Sequence, residues 1–386
     1  MKINNRINKI EEYHFKILEQ IKNERINLNK VVYDLSIGDP DLTIDSSITD
    51  ALIDALSDKG FNRYPPYDGI DELKKALIDY YYKQFQVQLE EDEISILIGS
   101  KEGISNIIPA ICDVGDLVLV PQPGYPVYSI ASILWGCNYY TIPLKEDKNY
   151  LIDFNEIPDK ICREAKLMFI NYPNNPTGAE GNKEFFSDII QYCNKNNIVL
   201  CNDGAYNEII SPDKKPISLL QFDKEKRTIE FGSFSKIFNM SGFRIGYAVG
   251  NKEVIQALIK VKSNLDSGQF IPIQKSALKA LTLEKKYKDK IRNTYIYRRK
   301  IAEEILKEKN IEFFHTDATF YIWCKVPKGY TTSEFCEELI NKYGIIVTPG
   351  NVFGNLGYDY FRISLTTDTE TLKTALSSLD KFNEKI

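Results

Sequence analysis

The sequence predicts an α/β fold, with a large domain on a mostly parallel seven-stranded sheet and a smaller α+β domain. Three observations predict it. Seven short apolar runs lie between residues 94 and 249, with helical segments separating several of them. The chain is 386 residues long, enough for one large domain and a smaller one. Past about residue 275 the pattern changes to a long charged helix followed by short strands. The expected division is residues 1–45 as an N-terminal arm and part of the small domain, 46–275 as the large domain, and 276–386 as the small domain.

Taken in order, Ile3, Ile7, Ile10, Ile17, Leu18 and Ile21 recur at helical spacing, so residues 1–32 contain a helix. VVYDLSIGDPDL then reads as a short strand ending in a Gly-Asp-Pro turn. Gly38 there suits either a plain turn or a close approach to a ligand. Residues 46–58 and 71–85 are amphipathic helices. Between them FNRYPPYDG is a stiff aromatic loop, whose Tyr64 and Tyr67 read by themselves as packing residues, the more common fate of such tyrosines.

The candidate strands are Ile94–Gly99, Leu117–Pro121, Tyr139–Ile142, Leu167–Asn171, Ile198–Cys201, Thr228–Phe231 and Ile245–Val249. In a parallel sheet, ligands gather at the carboxyl ends of strands. After these come a helix within Leu281–Glu308 and short strands around Phe320–Lys325, Ile345–Thr348 and Tyr360–Leu365. Arg362 interrupts the last of these. A buried guanidinium needs a partner, so it reads as one half of an internal ion pair or as a carboxylate-binding group.

Composition narrows the function classes. Hydrophobic residues are 43% and charged residues 27%, an ordinary globular balance. The formal charge of −5 argues against a broad nucleic-acid or anionic-membrane surface, though not against a local basic pocket. Seven scattered cysteines without a Cys-x-x-Cys pair suit reduced thiols. The first residues, MKINNRINKIEEYHFK, lack an apolar signal core, and no apolar run is long enough to span a membrane. A cytoplasmic location is therefore expected. Only two histidines occur, His14 and His315, neither in a metal-ligand motif, so no metal site is expected. Proton chemistry would need another residue.

Candidates stand at the strand ends. GSKEG opens a helix, where free N–H groups favour a phosphate at Ser100 and Lys101. PQPGYPVY offers Tyr125 to an aromatic ring. NYPNNPTG is a stiff loop that presents Asn175. In CNDGAY, Asp203 suits a protonated ring nitrogen or a helix cap, and Tyr206 suits a phenolic oxygen. FGSFSKIFNMSGFRIGYAVG puts Lys236 just after Ser233 and Ser235, and eight residues before Arg244. Such a lysine forms a Schiff base with an aldehyde, and the serines and arginine hold a phosphate. Alone, the serine-lysine turn also reads as a solvated loop. An aldehyde carrying a phosphate describes pyridoxal 5'-phosphate.

Together these motifs resemble the fold-type I pyridoxal phosphate enzymes of aminotransferase class I/II, whose fold is aspartate aminotransferase-like. The order matches across nearly the whole chain: Gly38, Tyr64 five before Gly69, GSKEG, GYP, NNPTG, DGAY, SFSK, Arg244 and Arg362. IGSKEG, PGYPVY, NLDSGQF, VPKGYTTSEF and TPGNVFG are in the style of the LL-diaminopimelate aminotransferase group. The resemblance implies that Lys236 anchors the cofactor and shuttles the proton, with Asp203 on the pyridine nitrogen. It implies Tyr206 and Asn175 at the 3'-oxygen and Tyr125 stacked on the ring. Ser100, Lys101, Ser233, Ser235 and Arg244 would cradle the phosphate. Tyr64 would reach the phosphate of a neighbouring subunit in a homodimer. Arg362 would clamp the substrate α-carboxylate beside Gly38, and Tyr13, Lys101 and Asn264 would touch the distal substrate. Tyr125 and Asn175 would also face the substrate. Phe234, Ile237, Phe238 and Phe243 depart from the Leu, Thr, Tyr and Trp expected there.

The expected function is amino transfer from an amino acid, either LL-diaminopimelate or an aspartate or aromatic donor, to a 2-oxo acid such as 2-oxoglutarate. A pyridoxal C–S β-lyase of the same fold is the alternative. A non-catalytic ligand-sensing relative would need a DNA-binding segment, for which the first 32 residues are too short.

Overall fold

The structure, a computed structural model, describes residues 3–10 and 14–382; Tyr13 lies outside the described residues, as does the His14 side chain. In chain order come α1 (His14–Asn27), β1 (Tyr33–Asp34), α2 (Ser46–Ala55), α3 (Asp71–Phe85), β2 (Ile94–Leu97) and α4 (Ser100–Ile111). The remaining large-sheet strands are β3 (Leu117–Gln122), β4 (Asn138–Pro143), β5 (Ala165–Ile170), β6 (Val199–Asp203), β7 (Ile229–Ser233) and β8 (Gly246–Gly250). The later strands are β9 (Phe313–Phe314), β10 (Tyr321–Lys325), β11 (Ile345–Ile346), β12 (Thr348–Pro349) and β13 (Tyr360–Ser364).

The seven expected strands form one sheet in the order β2-β8-β7-β6-β5-β3-β4. Only β8 runs against its neighbours β2 and β7. Side chains alternate faces along each strand, as the period-two geometry requires. Leu167 and Phe169 pack into the core on one face. Met168 and Ile170 pack into the core on the other, where Phe185, Phe186 and Ile189 of the helix Lys183–Asn196 meet them. Both faces are thus covered, and the strands read as unbroken apolar runs.

The reversed direction of β8 matters for position. Its register pairs Gly246 with Ser233 at the end of β7 and with Leu97 at the end of β2. The start of β8, and Arg244 just before it, therefore lies at the same sheet edge as the carboxyl ends of the parallel strands.

The later strands build a four-stranded antiparallel sheet, β12-β13-β10-β9. Arg362 on β13 sits opposite Trp323 and Thr348. Tyr33 and Asp34 of β1 pair with Ile345 and Ile346 of β11, so the N-terminal segment joins this part of the chain. The boundary expected near residue 275 falls inside the helix Ile271–Leu281, which packs on α2 and α3. One large apolar core runs continuously from α3 through Tyr206 and Phe320 to Phe361 and Leu376, so the two parts share packing. All seven cysteines are unpaired thiols, six of them buried. Among the described residues, no helix is long and apolar enough to cross a membrane.

Candidate active site

A cavity of about 480 Å³ lies at this sheet edge, walled by both parts of the chain. Strand ends supply its floor: Asn171 follows β5, Asp203 ends β6, Ser233 ends β7, and Ser100 opens α4 after β2. Lys236 reaches in from the single helical turn Phe234–Ile237, where the Ser235 N–H donates to the capping Ser233 Oγ at 3.1 Å. Gly38, Tyr321 and Arg362 close it from the side of the smaller sheet.

Several of its polar side chains are held by hydrogen bonds. Lys236 Nζ donates to the Gly38 carbonyl at 2.8 Å. The Tyr128 hydroxyl donates to Asp203 Oδ2 at 2.9 Å, and the Ala205 N–H reaches Oδ1 at 3.3 Å. Tyr128 itself stacks on Phe169, with centroids 5.1 Å apart, so core packing aims its hydroxyl. Asn171 Nδ2 donates to the Asp203 carbonyl at 2.6 Å while its Oδ1 accepts from the Asn175 N–H at 2.7 Å. Arg362 Nη1 donates to Asn175 Oδ1 at 2.7 Å, and Nη2 to the Ser36 carbonyl at 2.6 Å and Thr348 Oγ1 at 3.2 Å. Its guanidinium lies 4.0 Å over the Tyr321 ring.

Burial sets the electrostatics. It pushes the Asp203 carboxyl up to about 6, against the Tyr128 hydroxyl, the Ala205 N–H and Lys236. It brings the Lys236 ammonium down to about 8; Asp39 opposes this, and Arg362 and Arg244 add to it. An amine that loses its proton this readily can serve as nucleophile and as base.

Two glycines are required by shape. A Cβ on Gly38 would lie 1.8 Å from the Tyr321 hydroxyl oxygen. Gly99 turns the chain into α4 at φ +79°, and a Cβ there would lie 2.6 Å from Arg244 Nη2.

The cavity brings together Gly38, Ser100, Lys101, Tyr125, Asn175, Asp203, Tyr206, Ser233, Ser235, Lys236, Arg244 and Arg362. Two expected residues stand apart. Asn264 is exposed, its amide donating to the Lys260 carbonyl at 2.8 Å. Tyr64 is 85% exposed, so the packing alternative for it fails within this chain.

The model of the aminotransferase class I and II family matches residues 30–379. The chain belongs to this family. LL-diaminopimelate aminotransferase of Aquifex aeolicus is 45% identical over 372 residues, covering 96% of each chain. The enzyme of that name from Natranaerobius thermophilus is 42% identical, covering 98% of each. Among solved structures, apo-BacF from Bacillus subtilis superposes with a TM-score of 0.94 at 32% identity, covering 98% of this chain and 97% of that one. This protein is therefore an aminotransferase, and membership implies pyridoxal phosphate.

The aminotransferase's own residues fit such a group. A hydroxyl and guanidinium cluster (Ser100, Ser233, Ser235 and Arg244) suits a phosphate, and a buried carboxylate suits a ring nitrogen. Sequence reasoning missed Tyr128, Asn171 and Tyr321. Tyr321 hydrogen-bonds Tyr206 between hydroxyls at 2.9 Å and covers both Gly38 and Arg362. Asn171 had a signal, since it opens the NYPNNPTG loop. Tyr128 and Tyr321 had none, because apolar patterning reads both as core. The departures are apolar packing: Phe234, Ile237 and Phe238 are buried in the large core, and Phe243 packs against it.

Proposed function

We propose that this aminotransferase binds pyridoxal 5'-phosphate in the cavity and takes its amino group from LL-diaminopimelate, with 2-oxoglutarate as acceptor. The chemistry rests on one convergence: a half-buried amine of lowered proton affinity, a buried carboxylate and a buried guanidinium line one cavity. The donor rests on the names of the full-length relatives. When bound, the cofactor supplies an electron sink for charge developing at the substrate Cα.

Lys236 would anchor the cofactor and, as a neutral amine, would take the proton from the substrate Cα. Its low proton affinity keeps a neutral amine accessible near neutral pH. Asp203 faces the pyridine nitrogen, and a cation there draws its carboxyl back to the ionised form. Asn175 and Tyr206 would hold the 3'-oxygen, and Tyr125 would cover the ring. Ser100, Lys101, Ser233, Ser235 and Arg244 would hold the phosphate. Arg362 takes the substrate α-carboxylate as a planar fork beside Gly38. Tyr64, exposed in one chain, meets the phosphate of a partner subunit in a homodimer.

An absorbance scan of the purified protein tests this reading. A visible band should bleach with LL-diaminopimelate and return with 2-oxoglutarate. No band even after cofactor is added would remove Lys236 from its role. Bleaching only by cystathionine or cysteine, with pyruvate released, would make the protein a C–S lyase.

A further inference from the structure

We propose that Arg299 is a positioning residue for the substrate wall of the active site: it holds Thr319 in a left-handed turn, and that turn sets Phe320 and Tyr321 against Lys236, Gly38 and Arg362. The inference rests on the reading of Arg362 as the carboxylate fork, and it holds for any amino donor.

Thr319 has φ +60°. Among the described residues other than glycine with positive φ, it alone is β-branched. Crowding at Cβ makes this conformation an outlier for threonine, so surrounding bonds must enforce it. The Thr319 N–H donates to the Ile209 carbonyl at 2.7 Å. Its Oγ1 accepts from the Tyr321 N–H at 3.1 Å. Arg299 reaches the same turn from the helix Lys285–Glu308. Its Nη2 donates to the carbonyls of Ala318 at 2.9 Å, Thr319 at 3.3 Å and Tyr321 at 2.7 Å. Arg299 and Thr319 are both buried, so removing the guanidinium strips three carbonyls of this donor away from water. Glu303 stands 3.6 Å from Arg299 Nη1 and compensates the buried charge.

The two rings that leave this turn meet the reacting groups. Phe320 packs edge-on to Tyr206, with centroids 5.5 Å apart, and its ring centroid lies 5.6 Å from Lys236 Nζ. Tyr321 bonds the Tyr206 hydroxyl, crowds Gly38 and lies against the Arg362 guanidinium. Relaxing residue 319 to an ordinary φ would redirect both rings at once. The phosphate cradle comes from other segments, the start of α4, the end of β7 and the residues before β8. The turn therefore governs substrate binding, and cofactor affinity rests elsewhere.

The test uses the holoenzyme and follows bleaching of the cofactor band in single turnovers, with whichever of LL-diaminopimelate and L-glutamate reacts with wild type. Arg299→Ala should raise the Kd of the donor about tenfold or more, the size of a lost charged hydrogen bond. The Kd for pyridoxal phosphate, titrated into the cofactor-free chain, should stay within about twofold, as for a separate site. Arg299→Lys should lose less, because an ammonium keeps the charge and three donors. Adding Thr319→Gly to Arg299→Ala should recover most of the donor affinity, since glycine takes the left-handed turn unaided. A second pair leaves Arg299 in place and needs no tolerance of its loss. Thr319→Val and Thr319→Gly both remove Oγ1, but valine keeps the strain, so Thr319→Val should weaken donor binding more. Donor and cofactor Kd rising together, no recovery in the double variant, or equal effects of valine and glycine would overturn the inference. A wild-type band that neither donor bleaches would overturn the reading of the site and the inference with it.

Discussion

Asp203 and Lys236 are each held against their ordinary protonation, and this makes them testable one residue at a time. Asp203 titrates at 3.8 in an unfolded chain and about 6 when folded. Between those values the folded chain binds more protons, so Asp203 makes stability fall as pH rises through this window. A shift of about two units is roughly 3 kcal/mol, an upper figure lost in full above pH 6. Lys236 acts in the other window. It releases its proton near 8 when folded and 10.5 when unfolded, so its contribution rises with pH between them. Asp203→Asn keeps an acceptor for Tyr128 but removes the buried charge. Urea unfolding of the cofactor-free protein should show this variant more stable than wild type at pH 7, with the gap closing by pH 4. Its transamination rate should fall on the order of 100-fold or more, since the electrostatic support for the ring is gone. Lys236→Ala should abolish the visible band and turnover together. Asp203 and Lys236 were legible because they sit at or just after strand ends within short motifs, and Arg362 because a guanidinium interrupts an apolar strand. Tyr128 was not, because a hydroxyl aimed from a packed ring looks like any core tyrosine in a one-dimensional pattern.

Loops and helix starts, more than strands, carry the site at the scale of elements. Gly99 combines a positive φ with a close approach to Arg244. Gly99→Ala costs about 1–3 kcal/mol in backbone strain and also displaces the guanidinium. Cofactor titration should show Kd for pyridoxal phosphate raised about tenfold or more, with far-ultraviolet circular dichroism unchanged. Gly38→Ala acts on the other wall. Its Cβ meets the Tyr321 hydroxyl oxygen and Cζ at 1.8 and 2.6 Å, so the ring must leave and the Tyr206–Tyr321 bond with it. The expected result is a raised KM for the amino donor, because Tyr321 also backs Arg362. SIGDPD flagged Gly38 as a turn glycine, and GSKEG put Gly99 where a strand gives way to a helix. That one faces Arg244 and the other Tyr321 follows from chain crossings about 145 and 283 residues long.

The two parts of the whole molecule are joined by packing and by buried charge. Glu208, 7% exposed, receives Lys288 at 2.9 Å and Arg292 at 3.1 Å from the helix Lys285–Glu308, and Tyr80 from α3. Glu208→Ala leaves two buried cations facing each other. Thermal or urea unfolding should show a loss of about 3–5 kcal/mol. Assembly gives a second test at this scale. Sedimentation should find twice the chain mass, and Tyr64→Phe should raise the Kd for pyridoxal phosphate in that dimer. Mixed dimers of Tyr64→Phe with Lys236→Ala subunits should recover turnover at one site in two, as the proposed donation of Tyr64 across subunits requires.

The sequence by itself determined the α/β class, all seven strands of the large sheet, and the residue types at their carboxyl ends. Local periodicity and turn chemistry act over a few residues, and those are visible along the chain. Tertiary structure alone decided that β8 runs backwards, which brings Arg244 to the same edge as Asp203 and Ser233. It alone brought Tyr321 onto Gly38 and Arg362. Such contacts depend on which faces pack across the whole fold, and no short-range pattern records them.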